Sequence, residues 1–239
     1  LISGRFVSDA NYQRGSQSSI YPTTEADKFI MANDRPGDRV FDLTRPFYDA
    51  MGAYHHHLIN GYSAVRLKRY QEVIDNMLIP ENSSLISNLR AGNRDMSLYP
   101  TLNMLNTRFL IYNPNSAQGV LTNPKAAGNA WLVSEAVGVS TADEEFSQTR
   151  ALSNPRSKAV INTERFDLKG TNYTTEGSIG LEEYRPGYWK YQANVGGNSL
   201  AVFSEVYYPK DFIVKIDGQE TSMLNANYIL RALEIPAGN

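Results

Sequence analysis

Three consecutive histidines, His55-His56-His57, are the only histidines of this chain and the first residues to raise a chemical question. Histidines that share a metal ion usually stand at i and i+4 on a helix or i and i+2 on a strand, where their rings converge. Consecutive side chains point apart, so at most two of the three could meet on one ion. Asp49 or Asp42 would have to complete such a shell. The blander reading is a loop in which His56 packs or makes a hydrogen bond. His56, Asp49 and Arg69 are the one polar site the sequence offers, and Ser/His/Asp catalysis would have to draw on these crowded histidines. Cysteine is absent, which excludes thiolate catalysis and disulfides. Carboxylates are plentiful but lack catalytic spacing: Glu182-Glu183 face opposite sides of one strand, and Asp143-Glu144-Glu145 open a helix. No Gly-x-Gly-x-x-Gly, Walker loop or Gly-x-Ser-x-Gly occurs. The sequence therefore assigns no catalytic residue, no metal and no cofactor.

Aromatic residues carry the second signal. Tyr184, Tyr188, Trp189, Tyr191, Tyr207, Tyr208 and Tyr228 crowd the last third of the chain. Sugar rings stack on aromatic faces while neighbouring amides and carboxylates take the hydroxyls, so Tyr188, Trp189, Tyr207 and Tyr208 are the candidate glycan contacts. Core filling explains the same residues about as well. Exposure decides between the two: rings lining an open groove favour glycan, buried rings favour an interaction or spacer role.

The elements that would position these residues can be read from pattern. Thr23 or Thr24 caps a helix over Thr24 to Asn33, ended by Pro36-Gly37. Leu67, Tyr70, Ile74 and Leu78 form one apolar stripe on a helix from Ser63 to Leu78 that Pro80 should stop. Further helices are expected at Ser83 to Leu89 and Leu98 to Leu105, and strands at Arg39 to Leu43, Arg108 to Tyr112, Ala130 to Val137 and Lys158 to Asn162. Thr141-Ala142-Asp143-Glu144 has a capping-box pattern. Strand, helix and strand in succession predict a small mixed or parallel sheet. From Ile179 onward the helical period is lost, and turn signals recur about every ten residues, the spacing of a β-sandwich. Asp217-Gly218 is a type I′ hairpin signal. The fold class predicted is α+β: a mixed α/β region over 1–168, then an antiparallel β-sandwich over 169–239, ragged at its C-terminal edge.

With 23 Lys plus Arg against 25 Asp plus Glu, the net charge is −2, so no basic face argues for nucleic acid. No window of roughly 18 apolar residues could span a bilayer. Leu1-Ile2-Ser3-Gly4-Arg5 does not open like a signal peptide. The missing initiator Met and the stop at Pro236-Ala237-Gly238-Asn239 raise the expectation of an excised fragment.

Three blocks of residues carry a resemblance. They are Ala201-Val202-Phe203-Ser204-Glu205-Val206-Tyr207-Tyr208-Pro209 with Asn225-Ala226-Asn227-Tyr228 and Leu230-Arg231-Ala232; His56-His57-Leu58-Ile59-Asn60-Gly61-Tyr62 with Lys68-Arg69-Tyr70-Gln71; and Leu102 to Ile111 with Gly128-Asn129-Ala130-Trp131-Leu132-Val133. Together they resemble the YfhO-like family of bacterial multi-pass membrane proteins, over most of residues 39–239. Asn60 and Ser63 depart from the family pattern. The resemblance implies a polytopic enzyme that moves a sugar from a lipid-phosphate carrier onto an envelope polymer. Its catalytic acids would lie between transmembrane helices outside this chain. This region would then be an extracytoplasmic domain on the bacterial cytoplasmic membrane, without its own catalytic site, joined to the transmembrane portion of the same polypeptide. It would hold an envelope glycan or polymer acceptor, or dock a partner. The alternative is a structural or protein-interaction module of an envelope complex with no sugar affinity.

Overall fold

A computed structural model describes residues 20–210 and 212–238. The expectations made on the first nineteen residues lie outside them. Helix α1 (Glu25–Met31) begins at Thr24, whose hydroxyl accepts from Asp27 N at 3.1 Å while the Asp27 carboxylate takes Thr24 N at 2.8 Å. That reciprocal cap satisfies two donors a helix start would otherwise leave open. Strand β1 (Arg39–Asp42) pairs in parallel with β2 (Thr107–Ile111), which pairs antiparallel with β3 (Val120–Thr122). Ala26, Ile30, Val40, Phe109 and Ile111 bury the contact between helix and sheet.

The apolar stripe lies on one uninterrupted helical stretch that is longer than predicted. It runs as α2 (Lys68–Val73), a π-helical turn over Ile74–Leu78 and α3 (Ile79–Arg90), so the segment expected at Ser83 to Leu89 is its second half. Pro80 does not stop it. A proline ring crowds the carbonyl four residues back and has no N–H to donate. The π turn inserts one extra residue just before it, with Ile79 N–H reaching Ile74 O, and opens the helix where the ring must fit. Ile74 and Leu78 are fully buried, whereas Leu67, just ahead of the helix, is 42% exposed. A short helix, α4 (Pro100–Met104), leads into β2.

The chain then supplies β4 (Ala130–Val133), β5 (Glu135–Val139), helix α5 (Ala142–Arg150), β6 (Lys158–Asn162), β7 (Gly177–Arg185), β8 (Tyr188–Val195), β9 (Ser199–Val206), β10 (Val214–Ile216), β11 (Gln219–Thr221), β12 (Leu224–Ala226) and β13 (Leu230–Ile235). Helix α5 starts at the predicted box, with the Thr141 hydroxyl accepting from Glu144 N. Six strands form the main sheet in the order β4-β9-β13-β12-β6-β5, all antiparallel except β5 with β6. The run expected as one strand, Ala130 to Val137, breaks at Ser134, and its two halves lie at opposite edges of that sheet. Only a sheet curled back on itself can bring its two edges within one residue of each other.

Two further expectations are corrected by this order. The predicted division at 168/169 cuts the main sheet, because β4, β5 and β6 precede it while β9, β12 and β13 follow it. One buried cluster joins Phe41, Leu78, Leu102, Trp131, Ile161, Val202 and Leu230 across that line. The last strand is not a ragged edge: β13 is paired on both sides, by β9 and β12. The protein is α+β, with strands in several sheets and more of its described residues in strands than in helices. The predicted turn is present, with Asp217 at φ 50° and Gly218 at φ 80° joining β10 to β11. Both residues tolerate the left-handed region a two-residue hairpin requires.

Candidate functional site: a groove between two strand edges

Side chains of β8 alternate, as the pleat demands. Tyr188, Lys190 and Gln192 are exposed, while Trp189, Tyr191 and Ala193 turn toward the main sheet. The Tyr191 ring meets Phe203 of β9 edge to face at 4.8 Å, and burial pushes its hydroxyl pKa up. Trp189 is flanked by Tyr184 at 6.0 Å and Phe212 at 5.3 Å. These contacts seat hairpin β7–β8 on the outer face of the sheet, where Ala201, Phe203 and Leu233 are buried.

Beside β8 lies a groove of about 570 Å³. One wall is the run 188–193 of β8, and the opposite wall is the run 213–218, which contains β10. Phe203, Met223, Arg231 and Leu233 form the floor. Consecutive residues of both strands face it, so the groove is bordered by strand edges rather than by side-chain faces. Arg231 is the one charged floor residue. Its guanidinium lies 3.8 Å from the Phe212 ring centre, and its Nε donates to Val206 O at 2.9 Å. Burial draws its pKa down, and among the described residues its terminal amino groups have no carboxylate partner.

Of the four candidate glycan contacts, the groove gathers two. Tyr188 stands at its rim, 45% exposed, and Trp189 lies in its wall with both neighbours packed on the ring. Tyr207 packs on Phe166 at 5.8 Å, and neither Tyr207 nor Tyr208 lines the groove. The four do not form one platform.

The three members of the polar site are separated as well. His56 is buried and its Nε2 lies 2.8 Å from Oδ1 of Asp27, not from Asp49. Burial would raise the Asp27 carboxyl, but the hydrogen bonds from His56 and Thr24 prevail and hold it at about 2. Asp49 pairs with Arg45 at 3.3 Å and takes Met51 N at 2.7 Å. The cavity beside His56 holds only about 40 Å³, enough for water but not for a substrate. Arg69 lies in a structural clamp: it reaches both carboxylate oxygens of Glu145 at 2.9 and 3.0 Å, Asn225 Oδ1 at 2.9 Å and Tyr228 O at 3.0 Å. Tyr228 is held by Glu72 through its hydroxyl, which is pushed up to about 12 by burial and that carboxylate. Among the described residues, no three His, Asp or Glu side chains converge on a metal position.

Asp27, Phe212 and Arg231 were not among the sequence candidates. Arg231 had a readable signal, being the single charge between Tyr228 and Leu233 in an otherwise apolar run. Nothing in the sequence linked Asp27 to His56, which lie 29 positions apart. No helix among the described residues is long and apolar enough to cross a membrane. No protein-family model, no curated protein and no solved structure matches the chain.

Proposed function

We propose that this chain is a non-catalytic docking domain whose ligand site is the groove between β8 and β10. The observation that carries this reading is the groove itself: about 570 Å³ bounded by two strand edges and floored by apolar side chains and Arg231. The only other polar concavity described above, at His56, is an order of magnitude smaller. The two hairpins β7–β8 and β10–β11, laid over the outer face of the main sheet, are in this reading the second layer of the sandwich expected from the turn spacing. Attachment to transmembrane helices on the extracytoplasmic face of a bacterial membrane, beside a lipid-carrier-dependent sugar transferase, rests on the sequence resemblance alone.

An acceptor glycan is the second reading, favoured by the exposed Tyr188 ring at the groove's rim. Protein docking ranks first because the rings of Trp189 and Tyr191 are already in contact with Phe212, Tyr184 and Phe203. A ring engaged in this way offers a sugar little to stack on.

Trp189 is a built-in reporter, since Trp131 is the only other tryptophan and can be replaced by Phe. Its emission should shift on titration with a groove ligand drawn from a panel of extended peptides and envelope oligosaccharides. Silence toward both classes would contradict a ligand site here. Measurable hydrolysis or glycosyl transfer by residues 1–239, lost on His56→Ala, would contradict the non-catalytic reading.

A further inference from the structure

The backbone of β8 says what kind of ligand fits the groove. Val195 donates its N–H to Gly238 O at 2.9 Å and accepts from Gly238 N at 3.0 Å, an isolated antiparallel bridge on the side of β8 away from β7. Peptide groups along a strand alternate in direction, so Ala193 and Tyr191 aim their N–H and C=O groups the same way. Their register partners, Ile179 and Leu181, are accordingly the non-hydrogen-bonded pairs of the hairpin. Gln192 and Asn194 turn inward to Gly180 and Ser178. Among the described residues nothing takes the outward groups of Tyr191 and Ala193.

The facing wall has the same character. In a two-residue hairpin the residues flanking the turn, here Ile216 and Gln219, form the hydrogen-bonded pair. Lys215, paired with Glu220, must then present its N–H and C=O away from β11. The groove is lined by β10 and not by β11, so that outward side is the groove side. Two open edges thus face each other across a slot floored by Phe203, Met223, Leu233 and Arg231.

We propose that this slot binds an extended polypeptide strand donated by a partner, running antiparallel to β8 and bonded to Tyr191 and Ala193 on one side and to Lys215 on the other. The inference rests on the docking reading and names its partner. An added strand would join the two hairpins into one continuous layer, the recognition mode in which main-chain hydrogen bonds hold the ligand and alternate side chains select it. The bridge to Gly238 shows that this edge of β8 takes antiparallel pairing. The inward side chains of the strand would be apolar above Phe203 and Leu233. One inward carboxylate would complement Arg231, whose terminal amino groups make no ion pair among the described residues. Ile213, 74% exposed at the groove's rim, would be covered on binding. Open edges of this kind are ordinarily blunted by charge, proline or a covering element. Here Lys190 and Lys215 supply charge, but among the described residues no strand pairs with the outward groups of Tyr191, Ala193 or Lys215.

The test uses a synthetic peptide of alternating Val and Thr with one Glu at a Val position, capped at both ends. Amide hydrogen exchange is followed residue by residue, with Trp189 emission in the Trp131→Phe variant as a second readout. Saturating peptide should slow exchange at Tyr191, Ala193 and Lys215 at least tenfold. A peptide of the same composition without alternation, or one N-methylated at alternate residues on the β8 side, should not. A shift in Trp189 emission with no added protection at Tyr191 and Ala193 would overturn the strand and leave the docking reading standing. No response in either readout to any peptide, while oligosaccharides shift Trp189, would overturn both in favour of glycan.

Discussion

Replacing Arg69 with Met is the perturbation whose cost follows most directly from the geometry. Met keeps most of the aliphatic stem and removes the guanidinium, so packing loss is small and the electrostatic consequence dominates. Glu145 is fully buried, and its carboxylate is held by Arg69 through both oxygens. Asn225 Oδ1 and Tyr228 O lose the same donor. Removing one partner of a buried ion pair costs about 3–5 kcal/mol because the other charge stays buried without compensation. Arg69→Met should therefore lower the urea unfolding free energy by about that amount, a large share of a domain's stability. Glu145→Leu alone should also destabilise. The double variant should recover at least about 2 kcal/mol relative to the sum of the singles, since replacing both partners leaves no orphaned charge.

The pH dependence is a second reading of the same effect. Burial already raises the Glu145 carboxyl above its usual 4.5, with Arg69 pulling it back. Without Arg69 it rises further. A carboxyl whose folded value exceeds its unfolded one favours the native state at low pH, and that advantage is lost as pH climbs through the folded value. The deficit of Arg69→Met should be full at neutral pH and shrink as pH falls toward 4.5. A loss below about 1 kcal/mol, or strict additivity in the double variant, would refute the clamp.

Three further outcomes follow from the fold. Asp27, held near 2 against a usual 3.8, contributes about 2 kcal/mol at neutral pH. Because its folded value is the depressed one, that contribution is fully present above about pH 4 and disappears as pH falls through 2, and Asp27→Asn should flatten this part of an acid-unfolding profile. Tyr70→Ala should cost on the order of 3 kcal/mol in chemical denaturation if its ring is part of the core, since Tyr70 packs half-buried against the large cluster; a change below about 0.5 kcal/mol would mean the stripe is misplaced. Gly177 sits at φ 120°, and a Cβ there would strike the backbone carbonyl of Asn194. Gly177→Ala should therefore break the first pairs of β7 with β8, seen as faster amide exchange at Gln192 and Asn194, while the buried residues of the main sheet keep their protection.

Local signals in the sequence were good guides to local structure. Both capping boxes, the hairpin at Asp217-Gly218 and the burial of Ile74 and Leu78 each depend on residues within a few positions of one another. What could not be read was set by pairings across long sequence separations. The run Ala130 to Val137 has one continuous strand pattern, yet Ser134 divides it because β9 and β6 claim its two halves. The boundary drawn near residue 168 followed a real change from helical to strand periodicity. Periodicity reports which face is buried and not which strand lies alongside, so β12 and β13 could not be placed beside β6 and β9 in advance. The candidate site shows the same limit. Trp189 and Tyr188 were singled out by residue type, but a groove made of unpaired backbone leaves no residue-type signature.

The open edge of β8 is the central claim, and amide hydrogen exchange of the free chain tests it most directly. Tyr191 and Ala193, pointing into the groove, should exchange at near-solvent rates, while Gln192 and Asn194, bonded to Gly180 and Ser178, should be protected. Equal protection of all four amides in the absence of any ligand would contradict the account.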